Sequence, residues 1–88
     1  MPHIKKNYNM NYSEFLNSVL SDYKTLASKK RFLTIEIRSL NEYKSEINDI
    51  IANNNGVYGY RHGVIVTSND IAQVDKEINT ATELRKTL

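Results

Sequence analysis

The sequence predicts a mainly α-helical fold that carries one small β-hairpin. Proline occurs only at Pro2 and glycine only at Gly56, Gly59 and Gly63, so residues 3–55 contain neither of the two main helix breakers. Apolar residues in that stretch recur at alternating spacings of four and three. All three glycines fall in one short segment rich in tyrosine and valine, the composition of two short strands and their turn.

Residues 1–10 are polar and without pattern, and read as a flexible N-terminal arm ahead of one domain over residues 11–88. Asn11, with Glu14 three residues on, has the spacing of a capping box and opens the first helix. The four-three spacing then runs through Tyr12, Leu16, Val19, Tyr23, Leu26, Lys30, Leu33, Ile37, Leu40, Lys44, Ile47 and Ile51. A sustained period of about 3.5 residues is the coiled-coil pattern, and Lys30 and Lys44 occupy a positions, where polar residues cost stability and set register or partner number. The stretch from Lys29 to Glu42 fits less well. Phe32 and Ile35 fall outside the seam, Leu33, Ile35 and Ile37 alternate with polar residues as a strand would, and Ser39 with Glu42 offers a second capping box. One helix over about residues 12–53, straight or kinked, is the reading adopted, because no turn residue separates the pieces. The alternative is an α+β fold with helix 12–28, a third strand at 31–38 and helix 40–53.

The Asn53-Asn54-Asn55-Gly56 run ends the helix, since Asn and Gly accept the left-handed cap conformation. Val57, Tyr58 and Tyr60, a turn at Arg61-His62-Gly63, and Val64, Ile65, Val66 and Thr67 then spell a hairpin. The last, shorter helix starts near Ser68 or Asn69, with Asp70 in its first turn and Arg85 and Lys86 in its last, the charge order that the helix dipole favours. Its apolar stripe is Ile71, Val74, Ile78, Ala81 and Leu88, with Leu84 to one side.

Length turns this layout into an expectation about assembly. A helix of about 42 residues spans about 63 Å and one of about 19 spans about 29 Å, so the second covers half of the first. The stripe from Tyr12 to Leu26 is left as an exposed apolar patch, which a second copy of the chain would cover. Leu16, Val19, Tyr23, Leu26 and Leu33 are therefore the expected interface of a dimer or higher oligomer, packed between subunits in coiled-coil fashion.

Composition excludes more than it identifies. An 88-residue chain is one small domain, and a chain of about 90 residues buries only about 60–65% of its unfolded surface, which leaves little room for an enclosed active site. There is no cysteine, hence no disulfide, thiolate metal site or cysteine nucleophile. The net charge of +2 is far from that of a dedicated nucleic-acid binder. No run approaches the about 18 apolar residues of a membrane span, and the start lacks the apolar stretch of a secretory signal, so a cytoplasmic protein without membrane contact is expected. His3 and His62 are too few to build a metal site. No Ser lies in a G-x-S-x-G nucleophile motif, and the spread glycines form no phosphate loop. No catalytic residue, metal or cofactor is expected.

What remains is recognition. Tyrosine and arginine dominate protein–protein hot spots. Tyr58, Tyr60, Arg61 and His62 cluster at the hairpin tip, which makes them the expected partner-binding residues. The expected function is that of a small, non-enzymatic homo-oligomer that binds another protein. Eleven Asn, nine Ile, eight Lys and six Tyr, all with A/T-rich codons, suit an accessory or inhibitor protein of a phage or mobile element. Two other functions compete. A nucleic-acid-binding accessory protein would use the basic arm and the hairpin. A ligand-sequestering oligomer would hold a small molecule between subunits.

Overall fold

The structure is a computed structural model that describes residues 11–88. Among the described residues three helices and one hairpin follow each other: α1 (Tyr12–Leu20), α2 (Leu26–Asn54), β1 (Tyr58–Arg61), β2 (Val64–Thr67) and α3 (Ser68–Lys86). The fold is mainly helical with a two-stranded antiparallel sheet, as the sequence predicts. The long first helix, however, is two helices. The basic arm, His3 included, lies outside the described residues.

Local chemistry explains the break. Asn11 and Glu14 form the capping box of α1. At its other end Asp22 and Tyr23 donate their backbone N–H groups to the Val19 and Leu20 carbonyls, which wraps the chain off the helix axis. Thr25 then caps α2, its hydroxyl accepting from the Ser28 N–H at 3.1 Å. The Lys29 ammonium donates to the Leu20 carbonyl at 2.7 Å, a second bond to the oxygen that already accepts from the Tyr23 N–H. Ser39 and Glu42, by contrast, cap nothing; they lie within α2, and residues 31–38 are helix throughout.

Freed by the break, α1 folds back onto α2 and α3. Leu16, Leu20, Leu33 and Ala81 form one buried cluster, with Tyr12, Phe32, Ile37, Leu84 and Leu88 packed around it. The Tyr12–Leu16 part of the stripe is thus covered in cis, while Tyr23 and Leu26 stay exposed. Leu84, read as lying to one side of α3, points at α1. Phe32 also packs here and meets Tyr23 with ring centroids 5.6 Å apart. The strand-like alternation over 31–38 comes from three helix faces: Leu33 in the core, Phe32 under α1, and Ile35 turned outward.

At the other end of α2 a second cluster holds Ile47, Ile51 and Val66, with Tyr43, Ile50 and Ile71 against it. Helix α3 runs antiparallel to α2, tied by Lys44–Asp75 at 2.6 Å and by Arg85 Nε donating to the Thr34 hydroxyl at 2.9 Å. Lys44, read as a polar a position of a seam between subunits, makes a specific pair within the chain. The α2 helix of 29 residues is about 43 Å long and fixes the longest dimension, 46 Å. Thr67 caps α3 in a second capping box with Asp70.

The hairpin reaches α2 through a missing side chain. Gly59 is buried, and a Cβ built on it would lie 2.4 Å from Ile50 Cγ2 and 2.9 Å from the Ile50 carbonyl oxygen. We predict that Gly59→Ala costs about 1–3 kcal/mol through overpacking. Denaturant unfolding would measure the loss, and hydrogen exchange would place it at the hairpin.

Tyr12 ties the start of α1 to α2, its hydroxyl donating to Glu36 at 2.5 Å. Burial, then the Glu36 hydrogen bond and the charges of Glu36 and Glu77, raise the phenol pKa well above its ordinary value. The unfolded phenol ionises near about pH 10. Its contribution to stability is therefore complete below that pH and falls as the pH rises above it, because the unfolded chain then releases a proton that the folded chain retains. Tyr12→Phe should cost about 1 kcal/mol at neutral pH and flatten the alkaline fall in stability relative to the wild type, as measured by urea midpoints across that range.

Candidate binding surfaces

The hairpin is built for a tight turn. Its register pairs Tyr58 with Thr67, Gly59 with Val66, Tyr60 with Ile65 and Arg61 with Val64. The two linking residues, His62 (φ 51°) and Gly63 (φ 79°), both lie in the left-handed region, as a two-residue type I′ loop requires. The asparagine run does more than end α2. Asn55 Oδ1 accepts from the N–H groups of Val57 and Tyr58, each at 2.9 Å, and Asn54 Nδ2 donates to the Tyr58 carbonyl at 2.7 Å. These contacts fix the entry of β1, and the three consecutive asparagines before a glycine are the signal that announces them.

Alternation then sorts the side chains. Gly59 and Val66 turn toward the helices and are buried. Arg61 turns the same way: it pairs with Glu46 and stacks over the Tyr43 ring, 4.9 Å from its centroid. The guanidinium expected to meet a partner thus serves as a clamp between hairpin and helix. Tyr58 is half-buried and meets Tyr60 edge to face at 5.8 Å. Of the four residues expected to bind a partner, Tyr60 and His62 remain exposed.

Sequence reasoning missed the apolar side chains that accompany them. Val57 (71% exposed), Val64 (64%) and Ile65 (52%) join Tyr60 (59%) on the hairpin and the loop that enters it. Ile65 stands directly opposite Tyr60. Strand alternation contained this information, because burying Val66 obliges Ile65 to face away.

The expected oligomer interface divides differently. Leu16 and Leu33 are fully buried inside the chain and have no surface left for a second copy. Val19 is half-buried, while Tyr23 and Leu26 are exposed at the connection between α1 and α2. Folding α1 back buries Leu16 and Leu33 within the chain, so only Val19, Tyr23 and Leu26 of that expected interface keep exposed surface.

A second feature lies on the side of α2 turned away from α3. An open groove of about 680 Å³ is lined by Glu42, Glu46, Asp49, Ile50 and Asn53 of α2 and by Tyr60 of β1. Among the described residues, neither Glu42 nor Asp49 makes an ion pair. Among the same residues no group of three or more potential ligands could hold a metal, and no helix is long and apolar enough to cross a membrane. No family model matches the chain, and no curated protein or solved structure does so at a significant level.

The strained position in the turn can be tested directly. Asparagine adopts the left-handed conformation more readily than histidine. His62→Asn should stabilise the chain by a few tenths of a kcal/mol, up to about 1 kcal/mol, and raise the melting temperature.

Proposed function

We propose that the protein is a non-enzymatic binding protein, which recognises another protein through the exposed apolar side chains of its hairpin. The observation that carries this reading is the set of Val57, Tyr60, Val64 and Ile65, all more than half exposed on one short element. Tyr60 and Ile65 stand opposite each other on one face, and Val64 stands opposite Arg61 at the turn end of the other; exposed apolar side chains gathered in this way serve protein contacts. A strand surface this short needs no exposed valine, isoleucine and tyrosine to close a turn. Tyr60 is the aromatic anchor, and His62 at the tip supplies a polar edge.

The charge around Tyr60 narrows the partner. Glu46 and Asp49 flank it. Phosphate would be repelled here, and Arg61 is already engaged by Glu46, so a protein with an apolar contact surface fits better than a nucleic acid. In this reading the protein works in the cytoplasm, and its coding bias accords with an accessory or inhibitor protein of a phage or mobile element.

The test is a double substitution, Val64→Thr with Ile65→Thr, which keeps β-branched side chains in β2 and removes its exposed apolar surface. A partner recovered with the wild type should be reconstituted from purified components. It should lose at least about tenfold in affinity for the variant, equivalent to about 1.4 kcal/mol, while the melting temperature stays within a few degrees. Equal affinity for both proteins would overturn the reading.

A further inference from the structure

The inward face of α2 carries Leu33, Ile37, Leu40, Lys44, Ile47 and Ile51. A second seam runs along its outward face with the same alternation of four and three: Arg31, Ile35, Arg38, Glu42, Ser45 and Asp49. All six are exposed. At about 100° per residue they lie within about 40° of one line along the helix. None of the four charged members makes an ion pair among the described residues. Ile35, at 48% exposure, is the large apolar side chain among them.

The order of charge along this seam is not mixed. Both arginines lie in its first half and both carboxylates in its second. Arg31 and Arg38 are seven residues apart, and so are Glu42 and Asp49, about 10.5 Å in each case. Reversing the direction of a second α2 about a two-fold axis near Leu40 therefore brings Arg31 opposite Asp49, Ile35 opposite Ser45 and Arg38 opposite Glu42, and repeats each contact by symmetry. The groove beside Tyr60 is where the acidic half lies. The partner's Arg31 then comes to rest between Asp49 and the Tyr60 ring, a site that suits a guanidinium.

We propose that the chain forms an antiparallel dimer through this outward face of α2, with each groove filled by the Arg31, Ile35 and Arg38 ridge of a second copy. The occupant is argued from charge complementarity: the face is self-complementary only in the antiparallel sense, and a parallel pair would oppose like charges. The overlap from residue 31 to residue 49 covers about 28 Å of helix. The interface is thinly apolar, so its strength depends on ion pairs and on salt. This inference extends the binding-protein reading without depending on it.

Two variants test it. Arg31→Glu with Arg38→Glu makes the seam wholly acidic; Glu42→Arg with Asp49→Arg makes it wholly basic. By sedimentation equilibrium the wild type should be dimeric at low salt, with association weakened at least about tenfold at ~0.5 M salt. Each variant alone should be monomeric. Their equimolar mixture should restore a one-to-one dimer, since every contact is then acid against base. Recovery in the mixture also shows that both variants fold, and circular dichroism of each alone checks this independently. The Val64→Thr, Ile65→Thr protein should dimerise as the wild type does, so loss of pairing and loss of partner binding read separately. A monomeric wild type at low salt, a variant that self-associates unchanged, or a mixture that stays monomeric would each overturn the proposal.

Discussion

The contact of Leu16 with Leu33 and Ala81 is the constraint on which the rest of the molecule depends. All three are fully buried. Alanine at position 81 leaves the space into which α1 settles, and a larger residue there would push it away. Once α1 lies across α2 and α3, the chain must turn back over residues 21–25, and the apolar stripe of the first two turns finds its cover at home. Tyr12 and Lys29 fasten the two ends of α1 to α2. Leu16 and Leu33 of the heptad stripe are covered within the chain for this one reason, while Tyr23 and Leu26 stay exposed.

Much of the fold was legible because its punctuation is strong. The Asn11–Glu14 box, the asparagine run and the clustered glycines each have one plain structural meaning, and the elements begin and end where these residues stand. The break at 21–25 was harder to read. Ser21, Asp22 and Thr25 are turn and cap formers, but they sit inside a periodic pattern that continues undisturbed on both sides. Heptad spacing records which residues share a face. It does not say whether that face is one helix or two, nor whether the partner is in cis or in trans. Arg61 shows the same limit at the hairpin. Its residue type suits a binding site, and only the positions of Tyr43 and Glu46 show that it is engaged within the chain, at the surface between hairpin and helix.

The two faces of α2 divide the work of the chain. One is apolar and organises α1, α3 and the hairpin; the other is polar, with its charges separated by sign along the axis. Ile35 belongs to neither strand nor core, and its place on the outward face accounts for its poor fit to the heptads. The hairpin meets α2 at the boundary of the two faces, so Tyr60 borders both the acidic groove and the outer surface of the sheet. In an antiparallel pair the two hairpins would stand at opposite ends of the assembly, and a partner with two matching sites could engage both at once.

The apolar interior is not continuous. One cluster surrounds Leu16 and another surrounds Ile47, and between them the facing helices present the half-exposed Lys44–Asp75 pair. Such a division weakens cooperativity along the helix axis. Hydrogen exchange is expected to separate the hairpin with the adjoining turns of α2 and α3 from α1 with the opposite ends of those helices. Fluctuations that reshape Tyr60 and its neighbours therefore need not loosen Leu16, and the surface offered to partners can adapt while the far end of the molecule stays closed.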